Sequence, residues 1–109
     1  GEAGAKRIKE ILANLRKDAP SEIGGTKVVR SEDYKECVIK EGDTVTELTG
    51  FTKSDVLKYY LEDGSWIAVR PSGTEPKCKF YYCIKGASKE DAHNKTVHFQ
   101  KAMDDLIAE

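Results

Sequence analysis

An α+β domain is what this sequence predicts: an antiparallel β-sheet of about four strands with helices packed on one face. Three observations carry the expectation. Apolar residues recur at helical spacing near both ends of the chain, two β-rich segments meet at an Asp-Gly turn in the middle, and a run of alternating residues follows them. Helix, then strands joined largely by hairpins, then helix is the order in which helices segregate to one side of an antiparallel sheet.

The first helix is predicted over residues 5–17. Ala5, Ile8, Leu12 and Leu15 share one face with Ile11 beside them, and Lys6, Arg7, Lys9, Glu10 and Arg16 lie elsewhere. Asp18-Ala19-Pro20-Ser21 stops it, and Gly24-Gly25 supplies a turn before a short strand at Val28-Val29. From Ser31 to Gly50 the pattern blurs, with Cys37-Val38-Ile39 as a possible short strand. Val56 to Leu61 and Trp66 to Val69 are extended segments around Asp63-Gly64, which reads as a type I′ hairpin turn. A two-residue turn would pair Leu61 with Trp66 and Tyr59 with Ala68 on one face, leaving Tyr60 with Ile67 on the other. That second face would meet a neighbouring domain or stay partly exposed. Lys77 to Lys85 alternates, setting Cys78, Phe80, Tyr82 and Ile84 against Lys77, Lys79, Tyr81, Cys83 and Lys85. Ser88 and Asp91 resemble a capping box before a last helix carrying Ala92, Thr96, Phe99, Met103 and Leu106 on one side.

The chain has 109 residues, enough for one domain with a modest core, so residues 1–109 are read as a single unit. With 39% hydrophobic and 34% charged residues it reads as a soluble globular chain. No apolar run approaches the ~20 residues a membrane helix needs and no signal segment opens the chain, so a cytoplasmic address without membrane contact is expected. A net charge of −1 argues against a nucleic-acid partner and requires any anion affinity to be local. The chain opens Gly1-Glu2-Ala3 and its one methionine is Met103, which suggests a piece of something larger.

The stretch Arg70-Pro71-Ser72-Gly73-Thr74-Glu75-Pro76-Lys77 interrupts two apolar strands with more side-chain chemistry than a plain hairpin requires. Capturing an oxyanion takes donors converging from several directions. Ser72 and Thr74 offer hydroxyls, Gly73 lets backbone N–H groups approach, and the planar fork of Arg70 matches two phosphate oxygens at once. Pro71 and Pro76 bracket the loop. Composition alone leaves an ordinary turn at about even odds, since Ser, Gly, Thr and Pro are turn residues.

The same eight residues resemble the C-terminal phosphate-binding loop of the α-D-phosphohexomutases. Asp55 to Trp66 and Lys79-Phe80-Tyr81 are similar to the phosphoglucomutase and phosphomannomutase branch, and the resemblance covers essentially the whole chain, most weakly from Ser31 to Gly50. It implies a TATA-binding-protein-like fold. It also implies that Arg70, Ser72, Gly73 and Thr74 contact the substrate phosphate remote from the reacting group, with Lys77 as an electrostatic contributor and Glu75 unassigned. The activity implied for the parent enzyme interconverts hexose 1-phosphate and hexose 6-phosphate, of glucose or mannose, through a phosphoserine and a bisphosphorylated sugar. The family's Ser-His-Asn, Asp-Gly-Asp and Gly-Glu-Glu-Ser-Gly segments do not occur here. Donor serine, Mg2+ and sugar-reading residues are therefore expected on other domains, with no cofactor bound by this one and no catalysis by it alone. The alternative is a free-standing anion-binding or protein-interaction module.

Other candidates carry less. His93 and His98 are five apart on a predicted helix, whereas metal pairs favour i, i+4, so no metal is assigned. Cys37, Cys78 and Cys83 form neither a CxxC nor an even set, and Cys78 belongs to the apolar stripe. Asn94-Lys95-Thr96 matches a glycosylation sequon, but inside a predicted helix. The charges of the first helix read as a solvated face.

Overall fold

Two helices, α1 (Glu2–Lys17) and α2 (Lys89–Ile107), lie at the two ends of a series of strands in the computed structural model, which describes residues 2–73 and 77–107. The strands are β1 (Glu22–Ile23), β2 (Thr26–Asp33), β3 (Val38–Glu41), β4 (Thr44–Glu47), β5 (Leu57–Leu61), β6 (Trp66–Pro71) and β7 (Cys78–Cys83). Their order across the sheet is β4-β3-β2-β5-β6-β7, with β1 paired to β2, and the pairings are antiparallel. The α+β class with an antiparallel sheet is as expected. The strand number is not: seven strands stand among the described residues where about four were expected.

The difference comes from strands that backbone pairing holds without an apolar alternation. β4 is exposed along its length and β1 has two residues, so neither writes a period into the sequence. β2 extends well beyond Val28-Val29 because it is paired on both sides, to β3 and to β5. Its register steps from Val28↔Leu61 to Arg30↔Tyr60, so Val29 is an extra residue turned out of the ladder.

The central hairpin also departs from expectation, by one residue. Tyr59 pairs with Ile67 and Tyr60 with Trp66. The Leu61 N–H donates to Ser65 O (2.9 Å) and the Gly64 N–H to Leu61 O (3.0 Å), making Glu62-Asp63-Gly64 a three-residue loop. Gly64 has φ 89°, the left-handed residue that closes such a loop where a two-residue type I′ turn had been inferred. A one-residue slip exchanges the faces of a strand. Leu57, Tyr59, Leu61, Ile67 and Val69 all point into the core, and Ile67, expected beside Tyr60, is fully buried. Trp66, expected beside Leu61, lies on the opposite face, where the Lys58 ammonium sits 4.2 Å from its ring centroid.

Both helices cover the same side of the sheet. Ile11, Leu12 and Leu15 of α1 and Phe99 and Met103 of α2 join the inward residues of β5 and β6 in one buried cluster. The alternation expected for β7 holds, with Cys78, Phe80, Tyr82 and Ile84 packed against that cluster. Ser88 caps α2 as expected: its Oγ accepts the Asp91 N–H at 3.1 Å, while Asp91 Oδ2 accepts the Ala87 N–H at 2.8 Å, one residue earlier than in the standard box. Arg16 fastens the end of α1 to the sheet through Asp33 (3.1 Å) and Asp55 (2.6 Å). Among the described residues, no helix is long and apolar enough to cross a membrane.

Candidate functional site

The Arg70-to-Lys77 stretch is the connection at the end of the β6–β7 hairpin. Arg70 and Pro71 are the last residues of β6, in register with Lys79 and Cys78 of β7. Beyond them the Ser72 N–H donates to Lys77 O at 2.8 Å, which clips the two ends of the loop together. The hairpin thereby gathers Arg70, Ser72, Gly73 and Lys77 at one end of the sheet. Gly73 is exposed, and a Cβ added there would meet nothing within 4 Å among the described residues, so on that side its backbone is open to an approaching group. Thr74, with Glu75 and Pro76, lies outside the described residues.

Strand alternation decides where Arg70 points. Val69 is inward and fully buried, so Arg70 emerges on the face away from the helices. Its cross-strand partner there is Lys79. Two cations opposite one another raise the local positive potential and repel, a cost that an anion bound beside them would offset. Sequence reasoning missed a third residue of this corner. Tyr81 lies two pairs further along β7, opposite Ala68, and its hydroxyl accepts the Arg70 Nε–H at 3.0 Å. The Arg70 guanidinium carbon is also 5.6 Å from the Tyr81 ring centroid. The available signal was a tyrosine at a solvent-facing position between Lys79 and Cys83; the Arg70↔Lys79 register needed to link it to Arg70 comes from the fold.

A second polar cluster, also unforeseen, occupies the same helix-free face nearer β2. Glu32 is 5% exposed. Its Oε2 accepts from Arg30 Nε (2.9 Å) and Nη2 (2.6 Å), and its Oε1 from the hydroxyls of Tyr34 (2.7 Å) and Tyr60 (3.3 Å). Burial alone would push this carboxyl up, but the hydrogen bonds from Tyr34 and Arg30 outweigh it and hold the group below the usual range. With four donors on two oxygens, Glu32 is a satisfied structural carboxylate.

The remaining candidates have structural surroundings. His98 Nε2 donates to Gly24 O at 2.7 Å, joining α2 to the β1–β2 turn, and His93 is exposed. Among the described residues, no group of three or more His, Cys, Asp or Glu side chains is placed to hold a metal ion. Cys78 packs against the core, and Cys83 is exposed on the other face. Burial raises the Cys78 thiol above its ordinary value. Asn94 is exposed within α2.

Comparison with known proteins gives this corner a context. Residues 3–94 match the family described as phosphoglucomutase/phosphomannomutase, C-terminal domain. The chain is similar to phosphoglucomutases of Staphylococcus aureus strains N315, MSSA476 and USA300, with 38% identity over 97 residues in each case. Those alignments cover 87% of this chain and 17% of the relative, so the chain spans about a sixth of the length of these curated relatives. No solved structure matches. The C-terminal domain of that family has a TATA-binding-protein-like fold, and the antiparallel sheet with helices on one side is that architecture.

Proposed function

Since the chain belongs to the phosphoglucomutase/phosphomannomutase C-terminal domain family, we propose that it grips a hexose-phosphate substrate of a larger cytoplasmic mutase through the loop from Arg70 to Thr74. The observation that carries this reading is the cross-strand Arg70–Lys79 pair at the base of that loop. It concentrates positive charge on a chain whose net charge is −1. Arg70 supplies the planar fork, Ser72 and Thr74 hydroxyls, Gly73 an approachable backbone, and Lys77 further positive charge.

In the parent enzyme the phosphoryl group of a phosphoserine passes to the free hydroxyl of a hexose monophosphate. The bisphosphorylated sugar then reorients, and its other phosphate returns to the serine. The loop holds whichever phosphate is not reacting. A clamp that reads only a near-spherical anion suits both poses, because it does not fix which carbon of the glucose or mannose ring bears the phosphate. The donor serine, the sugar-reading residues and Mg2+ belong in this reading to the other domains, which are the chain's partners, and the chain alone turns nothing over.

A titration of the 15N-labelled chain with inorganic phosphate and glucose 6-phosphate tests the loop. Weak, salt-sensitive binding should move the amides of Arg70, Ser72, Gly73 and Thr74 first. Shifts centred on α2 instead, or none at all, would remove the loop from the mechanism.

A further inference from the structure

We infer that Tyr81 is a positioning residue for the anion clamp, presetting the Arg70 guanidinium for the incoming phosphate; the inference rests on the loop reading above. An arginine at a strand end has several freely turning bonds, and a fork that must be frozen on binding loses affinity for its ligand. Here two contacts from one side chain act on it. The Tyr81 hydroxyl accepts from Nε at 3.0 Å, and the guanidinium carbon stands 5.6 Å from the ring of the same residue. The hydroxyl fixes rotation of the guanidinium plane, and the ring face limits its travel.

The choice of nitrogen matters. Guanidinium donates five N–H bonds along three edges, and an acceptor on Nε leaves the Nη1–Nη2 edge as the edge suited to two phosphate oxygens. Tyr81 can hold that arrangement because its own placement comes from the sheet. It pairs with Ala68 in the register that pairs Arg70 with Lys79, so Arg70 and Tyr81 are diagonal neighbours on one face. Ala68, the small residue opposite Tyr81, leaves space for the ring to lean toward Arg70. A tyrosine whose purpose was packing would be expected on the inward face with Phe80 and Tyr82, yet Tyr81 is 42% exposed.

The test is a set of phosphate titrations of the 109-residue chain carrying Tyr81→Phe, Arg70→Lys, both together, or Arg70→Ala, with melting temperatures on the same samples. Tyr81→Phe keeps the ring and removes the acceptor. It should weaken phosphate binding about 3- to 10-fold, the effect of having to order one long side chain on binding rather than of losing a direct contact with the ligand. The melting temperature should stay at the wild-type value, and the Arg70 Nε–Hε resonance should broaden or shift. In the Arg70→Lys background, which has no Nε–H, Tyr81→Phe should produce no further loss. Wild-type affinity in Tyr81→Phe, alongside lost affinity in Arg70→Ala, would overturn the positioning role and leave the clamp standing. Equal losses from Tyr81→Phe in both backgrounds would also overturn it. Absence of phosphate shifts at the loop in the wild-type chain would remove the clamp and this inference together.

Discussion

Arg30 places two nitrogens on a single oxygen of Glu32, Nε at 2.9 Å and Nη2 at 2.6 Å from Oε2. The two residues are neighbours on the helix-free face of β2, and the Tyr34 and Tyr60 hydroxyls close on the other oxygen. Tyr60 comes from β5, so this cluster ties β2 to the hairpin that ends in the loop. Glu32 and Asp63 both titrate below their ordinary values. Burial opposes the shift in each, and hydrogen bonds to Tyr34 and Arg30 in one case, to Lys95 and the Ser65 N–H in the other, outweigh it. A depressed folded pKa means the unfolded chain takes up the proton first as pH falls. The stabilisation is therefore complete above the unfolded pKa and disappears as pH drops through the folded one, in a window beginning near pH ~5 and running below ~4. Glu32→Gln should cost about 2 kcal/mol at pH 7 and flatten the fall in melting temperature below pH ~5. Parallel pH profiles for wild type and variant would show that Glu32 does not contribute to acid sensitivity.

If the proposed clamp serves both substrate poses, Arg70→Ala in the full-length protein should reduce kcat/KM for the mutase reaction in both directions. A charge-assisted contact of about 1.5–3 kcal/mol corresponds to a loss of roughly 10- to 150-fold. Arg70→Lys should recover part of this, keeping the charge without the fork. If Arg70 only supports the end of β6, Arg70→Ala lowers the melting temperature and leaves sugar-phosphate affinity intact. Kinetics and melting on one preparation separate the two.

Gly64→Ala should destabilise the chain by about 1–2 kcal/mol, because φ 89° is costly for any residue with a Cβ. The added carbon would also stand 3.0 Å from Lys85 Cδ, a flexible side chain that can move aside. The strain thus arises in the backbone. Gly64→Asn, more tolerant of a left-handed conformation, should cost less, and chemical denaturation of both variants measures the difference. Equal losses would point to crowding against Lys85.

The three thiols should alkylate in an order set by exposure. Cys83 is exposed and should react first; Cys78 is half-buried with its thiol pushed up by burial, so its reactive thiolate is scarce. Site-by-site mass spectrometry over an iodoacetamide time course checks the order. Cys78 reacting ahead of Cys83 would mean that β7 opens readily.

Tyr59→Phe should leave stability unchanged or raise it slightly. The hydroxyl is buried and has no hydrogen-bond partner among the described residues, so removing it removes a desolvated polar group without breaking a bond. A loss above about 1 kcal/mol in chemical denaturation would reveal a partner for that oxygen.

Periodicity, capping and turn composition are local, and for that reason α1, α2, the two faces of β7 and the break between β6 and β7 were legible in the residues themselves. Ile11, Leu12, Leu15, Phe99 and Met103 announce their burial by spacing alone. The register of the β5–β6 hairpin was not legible. Asp63-Gly64 is compatible with loops of two or three residues, and only packing Tyr59 and Ile67 together beneath the helices selects the three-residue loop. β1 and β4 are held by backbone hydrogen bonds in tight hairpins with β2 and β3, and β2 by its pairing across to β5; such bonds leave no apolar pattern behind. The alliance of Arg70 with Tyr81 belongs to the same class. Eleven positions separate them, and the tertiary structure alone, by setting Arg70 opposite Lys79, brings that hydroxyl to that nitrogen.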